Sequence, residues 1–141
     1  MSDDTMDFNE AIIAEFRANG GRTEAFGEAP LLILTTTGAK SGEQRPSPLM
    51  YQADDGDADT IYLFASYAGA DVNPAWYHNV LANPEVTVEL GTETRAGTAR
   101  VLDEPRRSEV YAAQAERFPA FAEYQQKTDR VIPVVAVDLA G

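Results

Sequence analysis

The residues best suited to bind a charged ligand lie in one short stretch around a predicted turn. Lys40, Ser41 and Arg45 belong to the glycine-containing sequence GAKSGEQR, with the two cations five residues apart. Cations, hydroxyl groups and the exposed N–H groups of a turn together bind phosphate or carboxylate groups. The phosphate loop of nucleotide-binding proteins is excluded, because Ala39 stands where that motif needs a glycine. The stretch predicts an anion site, with a solvated hairpin tip as the alternative.

The distribution of charge along the chain sets this stretch apart. The 141 residues carry 23 acidic and 11 basic side chains, a net charge of −12. Residues 31–52 hold one acid and two bases, whereas residues 53–94 hold eight acids and no base. So acidic a surface repels the phosphate backbone of nucleic acids, and we expect no nucleic-acid partner. An anionic ligand would have to bind at the local basic stretch.

Aromatic residues form the second candidate feature. Phe118, Phe121 and Tyr124 recur at intervals of three residues, which aligns their rings along one face of a helix. Trp76 and Tyr77 belong to another short predicted helix. A planar ligand fits between two such elements, although core packing is the ordinary alternative for aromatic rings.

The composition limits the chemistry that the side chains alone can perform. There is no cysteine and one histidine, His78, which excludes thiol nucleophiles, zinc–thiolate sites and sites with several histidines. No G-x-S-x-G motif marks an activated serine, and the acidic run DDGDAD lacks the spacing of a calcium-binding loop. We predict no metal site, and we expect an enzymatic function to depend on a bound cofactor.

The periodicity of apolar residues predicts the elements that must position these groups. An amphipathic helix over about residues 8–18 opens the chain, and Asn73 is expected to cap a second helix over 74–83. Further helices are predicted over 105–117 and 119–127, and strands over 31–37, 47–53, 60–66, 86–90, 94–102 and 131–139. Strands outnumber the crossovers of a parallel sheet. The pattern predicts one α+β domain over residues 1–141, built on a mostly antiparallel six-stranded sheet or barrel.

Several long blocks in order resemble the deazaflavin-dependent nitroreductase family, oxidoreductases that use coenzyme F420. The blocks are FNEAIIAEFRANGG, PLLILTTTGAKSGEQRPSPLMY, NPAWYHNVLANPEVTVEL and TDRVIPVV, which extend over nearly the whole chain. The resemblance implies a six-stranded split β-barrel with flanking helices. It also implies hydride transfer from the reduced deazaflavin to a quinone, a nitroaromatic or another electron-poor small molecule.

The resemblance also implies roles for individual residues. Lys40, Ser41 and Arg45 would hold the phosphate and polyglutamate tail of the cofactor. The residues expected around the deazaflavin ring are Ser47, Pro48, Leu49, Met50, Ala65, Ser66, Tyr67, Trp76, Tyr77 and Asn79. The acceptor would lie beneath Phe118, Phe121 and Tyr124, with Tyr124 or Ser66 as the catalytic hydrogen-bond donor. Relatives carry tyrosines in place of Phe118 and Phe121, and some carry lysine in place of Tyr67, so this pocket is expected to be less polar.

Two other functions stay open at this point. One is an FMN-dependent oxidoreductase on the same barrel, and the other is a carrier that binds the deazaflavin without turnover. The acidic start MSDDTMD and the lack of a long apolar run predict a cytoplasmic protein. Both a monomer and a homodimer agree with the sequence, and contact of the first helix with a membrane surface is left open.

Overall fold

In the computed structural model, which describes residues 3–27 and 29–140, six antiparallel strands close into a barrel. The strands are β1 (Leu31–Thr37), β2 (Gln44–Ala53), β3 (Thr60–Phe64), β4 (Glu85–Leu90), β5 (Glu93–Val101) and β6 (Val134–Leu139). Their order around the barrel is β1, β2, β3, β6, β5, β4. The flanking elements are the helices α1 (Asp3–Ala18), α2 (Ala75–Ala82), α3 (Arg106–Arg117) and α4 (Ala120–Lys127), with a short 3₁₀ turn at Tyr67–Gly69. The predicted α+β class and six-stranded barrel are confirmed.

Alternation along the strands separates the barrel interior from its outer faces. The interior is filled by buried branched residues such as Leu32, Leu34, Leu63, Val88, Val135 and Val137. Helices α3 and α4 cover the outer face of β3 and β6 with a second apolar cluster, which contains Tyr62, Phe64, Val110, Tyr111, Phe121 and Val134. The aromatic residue Phe121 of α4 therefore belongs partly to this core, as the packing alternative proposed.

Helix α1 covers the outer face of β1. Ile12, Ile13 and Phe16 are buried against Leu31 and Ile33, so the apolar face of the helix is used inside the protein. The helix begins at Asp3, earlier than predicted, and the side chain of Phe8 lies outside the part of the chain whose side chains are described. Within the described ranges, no helix has both the length and the apolar character needed to cross a bilayer.

The last strand and one helix cap differ from the sequence predictions. Strand β6 begins at Val134 rather than at residue 131, because Pro133 has no N–H for a strand ladder and its carbonyl accepts from Ala65 N at 3.0 Å. Asn73 does not cap α2, since its Oδ1 accepts a hydrogen bond of 2.8 Å from Nη1 of Arg130. A guanidinium is a stronger hydrogen-bond donor to Asn73 than a backbone N–H. Because Arg130 is distant in the sequence, the local pattern around Asn73 could not predict this contact.

Asp54 in the loop after β2 is fixed by Tyr62 of β3 and Arg106 of α3. The Tyr62 hydroxyl donates to Asp54 Oδ1, and Arg106 Nη2 donates at 3.0 Å both to that oxygen and to the Tyr62 oxygen. The hydrogen bond from Tyr62, with further help from Gly56 and Arg106, lowers the pKa of Asp54 below its usual value. A carboxyl with a lowered folded-state pKa stabilises the fold at neutral pH, and that contribution is lost as the pH falls through this pKa.

We therefore expect Asp54→Asn to lower the free energy of unfolding at neutral pH by about 1–2 kcal/mol, since Arg106 is half-exposed and contributes modestly. The variant should also lose less stability than the wild type between about pH 5 and about pH 2. Urea unfolding at a series of pH values measures both effects. Asp55→Asn, which changes an exposed neighbouring carboxylate, is the control. The same pH dependence in wild type and Asp54→Asn would show that another group is responsible.

Candidate functional site

Two adjoining cavities lie between β2 and the start of α2. Ser47, Ala75 and Trp76 contribute to the walls of both. One, the basic cavity, has a volume of about 730 Å³ and is bounded by the β1–β2 turn with Lys40, Ser41 and Arg45. The other, the apolar cavity, has a volume of about 490 Å³ and is bounded by residues 47–50 of β2, residues 66–68 and the α4 residues Phe121 and Tyr124. Together they fit a ligand with a flat apolar part and an anionic part.

The β1–β2 turn lines the basic cavity and contains backbone N–H groups that are not used within the described part of the protein. Its internal hydrogen bonds run from Gly38 N to Glu43 O at 2.8 Å, from Gly42 N to Gly38 O at 3.0 Å and from Glu43 N to Ser41 Oγ at 3.1 Å. Gly42 has a φ of +73°, which favours glycine. Among the hydrogen bonds of residues 9–27 and 29–140, none is donated by the N–H of Lys40 or Ser41. These two N–H groups are available to an anion.

The cations of the basic cavity are only weakly engaged within the protein. Arg45 Nη2 lies 3.3 Å from Glu43 Oε2, and the two side chains are 54% and 68% exposed. An ion pair this exposed contributes little to stability, so a bound anion can displace Glu43 at small cost. Lys40 is exposed in the turn, and His78 of α2 lines the same cavity. The three residues predicted to bind an anion, Lys40, Ser41 and Arg45, therefore line one open cavity.

Asn79 of α2 holds the turn in place. Its Oδ1 accepts from Ala39 N at 3.0 Å and its Nδ2 donates to Thr36 Oγ1 at 3.0 Å, and the residue is buried. Nearby, Asn83 Nδ2 donates to Thr37 O at 3.4 Å. Asn79 lies in the wall of the basic cavity, with its amide hydrogen-bonded to the hairpin. Helix α2 thus fixes the orientation of the residues that surround Lys40.

Pro46 and Pro48 explain why the barrel opens beside β2. Tyr51 N donates to Pro30 O toward β1, so the odd-numbered N–H groups of β2 point to β1 and the even-numbered positions face β3. Both prolines occupy even positions and have no N–H to offer β3. The β2–β3 pairing accordingly ends at Tyr51 and Leu63. Residues 47–50 stay paired with β1 only, and the space beside them is the apolar cavity.

The opposite wall of the apolar cavity is a turn in an unusual backbone conformation. Tyr67 and Ala68 have φ values of +46° and +54°, and Gly69 follows with +83°. A Cβ on Gly69 would lie 2.9 Å from the carbonyl oxygen of Tyr124, so the turn packs directly on α4. On that helix, the rings of Phe121 and Tyr124 meet edge to face with centroids 5.3 Å apart. This wall therefore combines hydroxyl groups with aromatic faces.

Most of the predicted site residues lie at the two cavities. Those at the basic cavity are Lys40, Ser41, Arg45 and Asn79, and those at the apolar cavity are Pro48, Leu49, Met50, Ser66, Tyr67, Phe121 and Tyr124, with Ser47 and Trp76 at both. Three others lie elsewhere. Ala65 and Tyr77 pack with the barrel interior, and Phe118 packs with the cluster under α3 and α4.

Several wall residues carried no signal in the sequence. Asn9 of α1 and Phe26 of the following loop line the apolar cavity, because α1 crosses the outer face of β1 beside it. His78, for which the sequence suggested no role in binding, also lines the basic cavity. Only the three-dimensional arrangement brings these positions to the site, since they are far from it in sequence or resemble ordinary surface and core residues.

Known proteins similar to this chain include several that are described as F420H2-dependent reductases. The sequence model of the family "F420H(2)-dependent quinone reductase" matches residues 9–139. An F420H(2)-dependent quinone reductase of Mycobacterium tuberculosis is 36% identical over 130 residues, which cover 88% of this chain and 85% of the relative. A solved F420-H2 dependent reductase (FDR-A) is 43% identical with a TM-score of 0.68, over 77% of this chain and 93% of that one. Another solved structure, described as a domain-swapped dimer, is 37% identical with a TM-score of 0.70, over 97% and 99%.

Proposed function

This chain belongs to the F420H(2)-dependent quinone reductase family, and from that premise we propose that it reduces a quinone or a similar electron-poor molecule with coenzyme F420 as hydride donor. The observation that carries the proposal is the adjacency of the two cavities. Trp76 forms part of both walls, so one ligand can extend from the apolar cavity to the cations Lys40 and Arg45. A substrate acceptor then has to share the apolar cavity with the planar part of that ligand.

The residues present fit the coenzyme, which has a deazaflavin ring and a tail with phosphate and glutamate groups. In the basic cavity, Lys40, Arg45 and the N–H groups of Lys40 and Ser41 are donors suited to the anionic tail. In the apolar cavity, Leu49, Met50 and Trp76 offer apolar and aromatic surface suited to the ring. We assign cofactor binding to these residues.

The reduced deazaflavin, when bound, supplies a hydride to the acceptor. The protein contributes orientation, because an acceptor held against Phe121 and Tyr124 has few alternative positions. The same two rings exclude water from that side of the cavity. The hydroxyl of Tyr124 or Ser66 donates a hydrogen bond to the acceptor oxygen as negative charge develops there, and solvent then delivers the proton.

Removal of these hydroxyls tests the catalytic assignment. We expect Tyr124→Phe or Ser66→Ala to lower kcat with a quinone by about 100- to 1,000-fold, the range for loss of one donor to developing negative charge. Affinity for the coenzyme should change little. Tyr51→Phe removes a hydroxyl from a residue that packs with the barrel interior and lines neither cavity, and serves as the matched control. Wild-type rates in both site variants would assign the donor role to another group.

Oxidation of reduced coenzyme F420 by menadione, followed at the deazaflavin absorbance under anaerobic conditions, tests the reaction itself. Turnover that requires the protein supports the proposal. Binding of the coenzyme without turnover by any of several quinones and nitroaromatics would indicate the carrier function. Fluorescence titration with FMN in parallel tests the third possibility, since a clear preference for FMN would identify the chain as a flavin oxidoreductase.

We also infer the form in which the protein acts. A homodimer is supported by the solved relative described as a domain-swapped dimer, which this chain matches over 97% of its length. Light scattering coupled to size exclusion distinguishes the dimer from the monomer. A cytoplasmic location and a single domain over residues 1–141 stay predictions from the sequence.

A further inference from the structure

Arg130, which lies between α4 and β6, is hydrogen-bonded to the segment that forms one wall of the apolar cavity. Its Nε donates to Ala70 O at 2.8 Å, Nη2 to Ser66 O at 2.9 Å, and Nη1 to Ala65 O at 3.1 Å and Asn73 Oδ1 at 2.8 Å. Four of the five N–H donors of the guanidinium thus converge on residues 65–73. A single side chain fixes both ends of this wall.

The segment needs such support because its backbone is strained. Tyr67 and Ala68 are non-glycine residues in the left-handed region, where the Cβ atom crowds the following carbonyl oxygen. Within the turn, Gly69 N donates to Ser66 O at 2.8 Å and Ala70 N donates to Tyr67 O at 3.1 Å. Conformations of this kind persist only where surrounding contacts determine them. The carbonyls of Ser66 and Ala70 flank the strained residues, and both accept from Arg130.

Arg130 is also attached to α4, the other element of this wall. Its carbonyl accepts from Gln125 Nε2 of α4 at 2.7 Å. Gln125 Oε1 in turn accepts from Arg107 Nη2 at 2.7 Å and from Ile132 N at 3.1 Å. Because α4 carries Phe121 and Tyr124, these contacts connect the helix to the Ser66–Ala68 turn through one residue.

We propose that Arg130 is a positioning residue that sets the distance and orientation between the Ser66–Ala68 turn and α4, and so the acceptor-binding shape of the apolar cavity. The basic cavity is built from the β1–β2 turn and α2, with Asn79 as its support, and none of the residues that accept a hydrogen bond from the Arg130 guanidinium lines it. Arg130 therefore governs the acceptor side rather than the anionic tail. The expected effect on acceptor turnover rests on the proposed function, whereas the expected effect on the order of the Ser66–Ala68 turn does not.

The variants Arg130→Lys and Arg130→Ala test the inference. Lysine keeps the positive charge, but its single ammonium group cannot reach all the acceptors of residues 65–73 that the planar guanidinium group contacts. We expect the amides of Gly69 and Ala70 to exchange with deuterium at least about tenfold faster in both variants, since local opening controls their protection. Added guanidinium ion should restore slow exchange in Arg130→Ala. The matched control is Arg95→Ala, which removes an arginine that donates to Ala140 O and Asp59 at another part of the barrel.

With coenzyme F420 and menadione, we expect kcat/KM for the quinone to fall by roughly 10- to 100-fold in Arg130→Lys. Displacement of the Ser66–Ala68 turn would misplace the quinone relative to the hydride donor. The dissociation constant of the coenzyme should stay within about threefold, because its tail is bound at the basic cavity. Unchanged exchange at Gly69 and Ala70, or the same increase in Arg95→Ala, would overturn the inference. If wild-type protein shows no turnover, the proposed function fails, while the exchange and guanidinium measurements still decide the role of Arg130.

Discussion

Replacing Lys40 and Arg45 together with alanine is expected to weaken binding of coenzyme F420 by about a hundredfold. On this assignment each cation would make a charge-assisted hydrogen bond to the anionic tail, worth about 1.5 kcal/mol at an exposed position. About 1.4 kcal/mol corresponds to a tenfold change in affinity. The wild-type affinity should also fall with ionic strength, and the double variant should show a smaller dependence. Fluorescence titration of the coenzyme at several salt concentrations measures both quantities.

Two variants serve as controls for this prediction. Arg22→Ala removes an exposed cation that lines neither cavity, and should leave the affinity unchanged. Glu43→Gln removes the carboxylate that pairs with Arg45 at 3.3 Å, and should strengthen binding several-fold because Arg45 is released and repulsion of the tail is reduced. Wild-type affinity in the double variant, or weaker binding in Glu43→Gln, would contradict the anion-site assignment.

The net charge of −12 is expected to oppose the approach of the coenzyme, whereas Lys40 and Arg45 favour its binding. Long-range repulsion between an acidic protein and an anionic coenzyme slows their encounter, and salt relieves it. The local contacts of Lys40 and Arg45 are weakened by salt instead. Association rate and affinity should therefore respond to ionic strength in opposite directions. Stopped-flow binding separates the two, because the rate reports the whole surface and the dissociation constant reports mainly the pocket.

Elements with a local sequence signal were predicted well. The run Leu31–Thr37, a glycine turn and a second apolar stretch predicted the β1–β2 hairpin, and the structure confirms it. The consequence of Pro46 and Pro48 was not predicted, since the side to which their missing N–H groups point depends on the register with β1. The prediction that Asn73 caps α2 was wrong because its side chain instead accepts a hydrogen bond from Arg130, which is 57 residues away in the chain.

In the candidate site, too, positions with a local sequence signal were predicted, and positions that depend on long-range contacts were not. Lys40, Ser41 and Arg45 were predicted from their types and spacing as an anion site, and residues 47–50 were expected around the ring from the family resemblance. All of these residues line the cavities. The cavity positions of Asn9 and Phe26 depend on how α1 crosses β1, which no local pattern encodes. Arg130 lies in the block TDRVIPVV, but its function depends on carbonyl groups of a distant turn. Every residue has a backbone carbonyl, so the sequence does not indicate which carbonyls accept a hydrogen bond from Arg130.

Asn79→Ala is expected to have the second large effect, on stability and binding together. The change leaves the buried Thr36 hydroxyl without its amide donor, at a cost of about 1–3 kcal/mol. It also removes the hydrogen bond to the N–H of the exposed Ala39, worth about 1 kcal/mol. The free energy of unfolding should fall by about 2–4 kcal/mol, measured by urea unfolding. Coenzyme affinity should fall by about tenfold or more, because an ordering cost is added to binding once the turn around Lys40 is released. Asn83→Ala, which removes only a 3.4 Å contact to Thr37 O, should have little effect on either quantity.

Asn79→Asp separates the two roles that alanine removes together. Aspartate retains an acceptor for Ala39 N, so part of the stability should be kept, whereas the donor to Thr36 is lost. Its carboxylate also adds negative charge to the wall of the basic cavity, opposite to what an anionic tail requires. We expect this variant to be more stable than Asn79→Ala and yet to bind the coenzyme no better. If it binds as tightly as the wild type, the basic cavity does not hold the anionic tail, and the contacts of Asn79 serve stability alone.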